Sequence, residues 1–227
     1  MRFSIIMPVL NEAAVLEQQL CQLARLCDPY ECELLIVDGG SVDATVAIAR
    51  RFGRVIAAPR GRAAQMNGGA AVATGDIYIF LHADSMLPDG AFTAIERACA
   101  APGVVGGAFR LCFNCSRLAY RLVAFTTNLR SRWRGIFTGD QAYFVRAESF
   151  QAIGGFPDIA LMEDIEIITR LRAIGRLVLL PDYVITSARR HRKVGLARSV
   201  LLMWYLRALY RCGVSPELLQ RKYVDVR

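Results

Sequence analysis

The fold is decided by "FSIIMPVLNEAAVLEQQLCQLARLCDPYECELLIVDGG", residues 3–40. It contains two short apolar runs rich in branched residues, "FSIIMPV" and "CELLIV", which are typical of buried strands. Between them, the apolar residues of "EAAVLEQQLCQLARL" recur every three or four positions, which predicts an amphipathic helix. A strand, a helix and a second strand in this order predict two parallel strands joined by a crossover helix.

The same alternation continues downstream. "RVIAA" and "DIYIFLHA" predict two further strands, and "VDATVAIARRF" and "RAAQMNGGAAVAT" predict the helices between them. Because these strands are almost continuously apolar, both faces of the sheet must be covered. The sequence therefore predicts an α/β fold with a mostly parallel central sheet and helices on both faces.

Composition and charge limit the partners. The chain has 227 residues, of which 54% are hydrophobic, enough for one well-packed domain. Its formal net charge of +8 comes mostly from arginine, whose forked guanidinium suits a phosphorylated small molecule or an anionic lipid surface. We expect no nucleic-acid partner, because the arginines are not interleaved with aromatic stacking motifs.

The cysteines and the apolar segments indicate the cellular compartment of the protein. Among the seven cysteines the close pair is Cys112 and Cys115, and a zinc site normally needs a second such pair or histidines at ligand spacing, so we expect reduced, buried thiols and a cytoplasmic protein. The N-terminal "MRFSIIMPVLNE" lacks the long apolar stretch of a signal peptide, which predicts no export. "SVLLMWYLRALY", residues 199–210, is too short and too charged to span a bilayer.

Polar side chains follow three of the predicted strands, at the sheet edge where α/β proteins bind ligands. His82 and Asp84 lie on the same side of the chain if the alternation of an extended strand continues through them. This pair could hold a divalent cation. Two plainer interpretations stay open, in which Asp84 caps a helix near Pro88 and Asp38 only shapes a turn. "DGGSVDA" lacks the G-x-G-x-x-G dinucleotide fingerprint, which disfavours redox chemistry. In chain order, the candidates at this edge are Pro8, Asn11, Glu12, Asp38, His82 and Asp84.

An acidic cluster begins a helical pattern in "LMEDIEIITRLRAIG". Asp164 continues the inward apolar stripe at its N-terminal end, whereas Glu163 and Glu166 lie off it. Glu166 is explained by a surface pair with Arg170, four residues on. Asp164 is thus a candidate general base for a hydroxyl group. The stripe consists of Ile167, Ile168, Leu171 and Ile174.

Five segments in order over residues 3–195 resemble the family-2 glycosyltransferases, which have the nucleotide-sugar-binding GT-A fold. Within that family the chain looks closest to a small bacterial subgroup labelled as arsenosugar-biosynthesis glycosyltransferases, judging by "GDQ", "MED" and "SARR". The five segments are "SIIMPVLNE", "LLIVDGGSVDAT", "RGRAAQMNGGAAVATGDIYIFLHADS", "FTGDQAYFVRAESFQAIGGF" and "LMEDIEIITRLRAIG".

The resemblance implies roles for the residues that match the family motifs. Asp84 would be the last carboxylate of the D-x-D motif, with His82 in place of its first acid, so that both would hold Mg²⁺ or Mn²⁺. Asp164 would be the catalytic base, supported by Glu163. The nucleotide-sugar would contact Pro8, Asn11, Glu12, Asp38, Arg62 and Asn67, and the acceptor side would be shaped by Gly139, Asp140 and Gln141.

The predicted function is inverting transfer of a sugar, preferably from a UDP-sugar, to an unidentified hydroxyl acceptor. A nucleotide-sugar-binding protein without activity and a nucleotidyltransferase are the alternatives. Residues 1–195 would form the catalytic domain, and residues 196–227 an amphipathic basic helix packed on it. Arg189 and Arg190 would close over the diphosphate, unless their loop is simply solvated.

Two arginine-rich amphipathic segments, "SRLAYRLVAFTTNLRSRWRG" and "GLARSVLLMWYLRALYR", leave two interpretations open. They could be helices packed on the domain, with arginine stems covering apolar surface. They could also make peripheral contact with an anionic membrane, at the inner face of the cell membrane. A lipid-linked or otherwise apolar acceptor would suit the second interpretation.

Overall fold

The computed structural model describes residues 1–223, without the side chains of Arg190, Lys193 and Val194. The described part contains one sheet of eight strands. The strands are β1 Phe3–Val9, β2 Cys32–Asp38, β3 Arg54–Ala57, β4 Ile77–Phe80, β5 Ser85–Met86, β6 Val104–Phe113, β7 Tyr143–Arg146 and β8 Arg176–Thr186.

Ten α-helices and a short 3-10 turn at Gly139–Gln141 accompany the sheet in the same part of the chain. The helices are α1 Ala13–Cys27, α2 Thr45–Ala49, α3 Arg62–Ala70, α4 Ala91–Cys99, α5 Leu118–Arg134, α6 Ala147–Ala152, α7 Glu163–Ile174, α8 Arg189–Val194, α9 Leu196–Arg211 and α10 Pro216–Lys222.

The four predicted strands form the first half of the sheet, in the order β3-β2-β1-β4. They are parallel, with Phe3 aligned to Cys32 on one side and to Ile77 on the other. The carboxyl ends of β1, β2 and β4 therefore lie at the same edge. This is the edge at which the polar candidates were predicted.

The second half of the sheet is mixed, in the order β7-β6-β8-β5. β7 runs antiparallel to both β4 and β6, β8 runs parallel to β6, and β5 runs antiparallel to β8. The sheet is thus less parallel than the sequence predicted. Strand direction depends on how the connections return to the sheet, which the composition of a strand does not encode.

Helices cover both faces, as predicted. On one face Phe3 and Ile5 pack in a cluster with apolar residues of α1 and α4. On the other face Ile6 packs with α3 and α7. Since successive side chains of a strand point to opposite faces, β1 divides its apolar residues between the two halves of the core.

Two smaller clusters attach the later helices. Phe113 and Tyr120 join β6 to α5, and Leu206 and Leu219 join α9 and α10 to the segment that precedes α7. The described C-terminal residues thus form two helices, where one was expected. No helix in residues 1–223 has the length and apolarity needed to cross a bilayer.

The cysteines differ from the expectation of buried thiols. All seven are free, but Cys99 alone is fully buried. Cys21, Cys112 and Cys212 are exposed. These three lie in helix α1, in strand β6 and after helix α9, so a small apolar residue is tolerated at the surface of different elements, and cysteine content alone does not predict burial.

Candidate active site

A cleft of about 770 Å³ opens beyond the carboxyl end of β4. Residues of α5, α7 and α9 form the other walls of the cleft. Six of the predicted site residues line it, from four separate regions of the sequence: Arg62, His82, Asp84, Gly139, Asp140 and Asp164.

The segment after β4 presents His82 and Asp84 to the cleft. Burial alternates from Leu81 to Leu87, so the two side chains lie on the same, partly open side, as the extended period predicted. Ser85, in β5, is held by pairing with Thr186 of β8. The helix-capping interpretation of Asp84 is wrong, because α4 begins at Ala91 with Gly90 as its N-cap and receives no side-chain cap.

Asp84 lies near other charged side chains at this edge. Burial raises its pKa, and the nearby carboxylates of Glu12 and Asp140 raise it further. Arg189 and Arg62 oppose this effect by favouring the carboxylate. A group of negative side chains whose repulsion is only partly offset is a suitable place for a cation.

His82 fits closely against the 3-10 turn. A Cβ added at Gly139 would lie 2.7 Å from both Cε1 and Nε2 of the imidazole, so only a glycine permits this contact. The turn itself is fixed by Gln141, which is fully buried. Its Oε1 accepts hydrogen bonds from the Thr138 amide and the Ser131 hydroxyl, and its Nε2 donates to the Phe109 carbonyl. Gln141 therefore positions the turn and does not line the cleft.

The two acidic side chains at the start of α7, Glu163 and Asp164, have different surroundings. Asp164 lines the cleft, and its Oδ1 accepts a hydrogen bond from the Ile165 amide at 2.9 Å. Glu163 is the more deeply buried of the two, only 5% exposed, and pairs with Arg62 at 3.6 Å. Burial raises the pKa of Glu163, and Arg62 counteracts part of this rise.

The predicted stripe of α7 needs two corrections. It ends at Leu171, because Ile174 is 48% exposed. Glu163, expected off the stripe, is buried because the helix begins against α3 and its first turn faces Arg62. The predicted pair of Glu166 with Arg170 is confirmed at 3.3 Å.

Asp38 and Asn11 join the loops that follow β1 and β2. The Asp38 carboxylate accepts hydrogen bonds from the amides of Gly40 and Ser41 and so shapes this turn, and its contact with the nucleotide stays a prediction. Asn11 accepts a hydrogen bond from the Val42 amide at 2.9 Å and has a positive φ of 53°. Both residues lie at the predicted edge, beside the cleft and not among its lining residues.

Three of the remaining residues predicted to contact the donor, Asn67, Glu12 and Arg189, already have partners in the protein. The Asn67 amide bonds to both backbone groups of Phe156, each at 2.9 Å. Glu12 forms an ion pair with Arg189 at 2.5 Å, which joins the start of α1 to the start of α8. Pro8 is buried within β1. The side chain of Arg190 lies outside the described residues.

Arg130 of α5 and Arg207 of α9 also line the cleft, although the sequence pattern did not mark them as site residues. Both lie in the segments whose arginines were explained by packing or by lipid. The other arginines of α5 do not line the cleft, whereas on α9 Arg198 lines it together with Arg207. Only the packing of α5 and α9 across the cleft distinguishes them from their neighbours.

The residues at Asp84 fit a divalent cation of the predicted kind. In residues 1–223 there is no group of three His, Cys, Asp or Glu side chains that could enclose a metal. Mg²⁺ typically needs only one or two carboxylates, because substrate phosphates and water complete its coordination. Asp84, with Asp140 and Glu12 close enough to affect its pKa, meets that requirement.

The fold and the cleft together indicate the class of protein to which the chain belongs. A mixed sheet covered on both faces, with carboxylates at the strand ends, is the architecture of GT-A glycosyltransferases. The profile of glycosyl transferase family 2 matches residues 4–154, and the chain belongs to this family.

Curated relatives and solved structures agree with the family. The chain is 37% identical over 161 residues to the PGL/p-HBAD biosynthesis glycosyltransferase of Mycobacterium bovis, covering 66% of the chain and 57% of that relative. It is 27% identical over 202 residues to the probable glycosyltransferase YdaM of Bacillus subtilis, covering 77% and 47%. The chain thus spans about half the length of these relatives. Neither carries the arsenosugar label, so that subgroup stays a prediction.

Two solved structures show the same fold. The mannosyltransferase PcManGT from Pyrobaculum calidifontis, in complex with GDP-Man and Mn²⁺, has a TM-score of 0.68 at 22% identity, over 97% of this chain and 67% of its own. Glucosyl-3-phosphoglycerate synthase from Mycobacterium tuberculosis, in complex with Mn²⁺, UDP and phosphoglyceric acid, has a TM-score of 0.65 at 19% identity, over 94% and 79%. The GT-A fold predicted from the sequence is confirmed.

Proposed function

We propose that the chain transfers a sugar from a nucleotide-diphosphate donor, preferably a UDP-sugar, to a hydroxyl acceptor. The observation that carries this proposal is the convergence of Asp84, Asp140 and Asp164 on one cleft, with Arg62 beside them. Membership of family 2 supports it, as do the fold relatives solved with GDP-Man or UDP.

In the proposed reaction Asp164 accepts the proton of the acceptor hydroxyl. The acceptor oxygen attacks the anomeric carbon on the face opposite the diphosphate, and the bond from that carbon to the phosphate oxygen breaks. One displacement of this kind inverts the anomeric configuration. The protein contributes by holding donor and acceptor in line, which replaces a chance encounter with a local reaction.

Asp84 and His82 would hold the divalent cation, Mg²⁺ or Mn²⁺. Bound there, the cation supplies charge neutralisation to the departing diphosphate. Gly139 keeps the His82 ring in place, and Arg62 and Arg189 add positive charge near Asp84. Glu163 would support Asp164 by fixing Arg62 at the start of α7.

Asp164→Asn tests the base. We expect UDP affinity to stay within about twofold and release of UDP from UDP-sugars in the presence of hydroxyl acceptors to fall at least about 100-fold, since general bases typically contribute that much. The matched control is Asp89→Asn, at an exposed aspartate outside the cleft. Full activity of Asp164→Asn would remove the base assignment.

The products separate the two alternatives. A nucleotidyltransferase would release inorganic diphosphate from a nucleoside triphosphate, whereas a glycosyltransferase releases a nucleoside diphosphate from a nucleotide-sugar. A protein that only binds nucleotide-sugars would release neither. The convergence of Asp140 and Asp164 opposite Asp84 favours transfer, because binding alone gives Asp164 no task.

We also infer peripheral contact with an anionic membrane. α5 exposes an apolar stripe at helical spacing, and arginines of the same helix flank it. Arginine beside apolar side chains suits the interface of an anionic bilayer. The exposed stripe consists of Leu118, Leu122, Phe125, Leu129 and Trp133.

A further inference from the structure

Arg130 and Arg207 meet the cleft with incompletely bonded guanidinium groups. The Nε atom of each is buried and has no hydrogen-bond partner among the residues described. Nη2 of Arg130 has one long contact, 3.5 Å to the Thr138 hydroxyl. In the same part of the chain, neither arginine takes part in an ion pair.

The two guanidinium groups, of Arg130 and Arg207, carry like charges and repel each other. The pKa of Arg130 falls to about 10, first because the group is buried and then because Arg207 repels it. A buried donor without an acceptor lowers stability, and a nearby like charge adds to that cost. An oxyanion would offset both, because it accepts forked hydrogen bonds and neutralises the charge.

The charged groups that surround the arginine pair differ from those that surround the proposed cation site. The charged groups close enough to affect Asp84 are Glu12, Arg189, Asp140 and Arg62. Those that affect Arg130 are Arg207, Asp140, Asp164 and Arg211. Only Asp140 belongs to both sets. Asp164 is among the groups that affect Arg130, so the arginine pair lies near the proposed base.

Part of the cleft wall near the arginine pair is apolar, although polar and charged residues such as Thr127 and Arg198 line the cleft as well. Leu201 and Trp204, on the same helix as Arg207, line the cleft and are 64% and 61% exposed. Val123 of α5 lines it from the other side. A ligand that reaches the arginines would therefore place an apolar portion against α9.

We propose that the acceptor is amphipathic and carries an oxyanion, a phosphate or a carboxylate, which Arg130 and Arg207 bind while its apolar portion lies against α9. The proposal rests on the proposed function, because it assigns the oxyanion to the molecule whose hydroxyl group faces Asp164. It adds a specificity determinant that the family motifs do not contain.

The test is a binding comparison of three probes with one chain length: octyl phosphate, octanoate and octanol. Trp204 in the cleft reports binding by fluorescence, in a Trp133→Phe background that removes the other tryptophan. The variants are Arg130→Gln and Arg207→Gln, with Arg121→Gln as the control on the exposed face of α5. UDP with Mn²⁺ is titrated into every sample to follow the donor site separately.

We expect at least one anionic probe to bind about tenfold or more tightly than octanol, and this preference to disappear in Arg130→Gln and Arg207→Gln but not in Arg121→Gln. UDP affinity should be equal in all samples. If octyl phosphate alone is preferred, the oxyanion is a phosphate, and if octanoate alone is preferred, it is a carboxylate.

Three results would overturn the proposal. The first is equal binding of all three probes, and the second is a preference that survives in both variants. The third is a joint loss of UDP and anion binding in the variants, which would assign the arginines to the donor diphosphate. The UDP titration of the unsubstituted chain is the separate check, since failure there contradicts the proposed function itself.

Discussion

Gly139 and His82 show how one residue can set the geometry of the site. Because a Cβ at position 139 would lie 2.7 Å from two ring atoms, Gly139→Ala must displace the imidazole. We expect a loss of about 1–3 kcal/mol in the free energy of unfolding and weaker metal-dependent donor binding. The control is Gly90→Ala, where an added Cβ meets nothing within 4 Å. Equal effects of the two substitutions would contradict this fit.

The buried Glu163 predicts a pH dependence of stability. Burial raises its pKa above the value of about 4.3 expected in the unfolded chain. The folded protein therefore holds this proton more tightly. The free energy of unfolding then falls as pH rises between the two pKa values, by up to about 1.4 kcal/mol per pH unit.

Urea unfolding at a series of pH values, with Glu163→Gln beside the unsubstituted chain, measures this slope. We expect the variant to lose the decrease, because its side chain does not titrate. Glu148→Gln, at an exposed glutamate, should keep it. A slope that is unchanged in Glu163→Gln would show that Arg62 fully compensates the burial of the carboxylate.

At the scale of elements, the ion pair of Glu12 with Arg189 ties α8 to the start of α1 across the cleft edge. We expect Arg189→Gln to weaken UDP-sugar affinity about tenfold, because a charge-assisted contact near the diphosphate is lost. Arg51→Gln breaks a comparable pair, with Glu17 at 2.6 Å, on the surface of α1. Calorimetric titration should show no change there, and equal losses in both variants would remove Arg189 from the donor site.

The strands and helices near the N-terminus could be predicted because their signals are local. β1 matches its predicted range, and α7 begins at the predicted acidic cluster. The mixed second half of the sheet could not be predicted, since strand direction is set by connections and not by composition. Neither could Arg130 and Arg207, because only the packing of two distant helices turns them toward the cleft.

Local signals also indicated which side chains share one side of the sheet edge, while leaving their partners unknown. The alternation that puts His82 and Asp84 on one side is readable in the sequence, but the glycine that supports His82 lies far along the chain. Asn67 illustrates the converse. Its amide was expected at the nucleotide, and both of its polar atoms are bonded to Phe156. Long-range hydrogen bonds of this kind have no signature in a single sequence.

At the scale of the whole molecule, the exposed stripe of α5 gives one face of the protein an apolar and basic character. We expect the chain to float with vesicles of phosphatidylcholine and phosphatidylglycerol at low salt, and to be released as salt screens the charge. Phe125→Asp should abolish flotation, whereas Val42→Asp, at a residue that is 92% exposed elsewhere, should not. Flotation that is equal in the two variants would remove α5 from the contact.

The central claim is that the edge beyond β4 binds a nucleotide-sugar together with a divalent cation at Asp84. Its most direct test is thermal stabilisation by a panel of UDP- and GDP-sugars, with and without Mn²⁺ or Mg²⁺, in the unsubstituted chain and in Asp84→Asn. We predict a metal-dependent rise in Tm with at least one donor and its loss in Asp84→Asn. No rise with any donor, or a rise that survives the substitution, would contradict the claim.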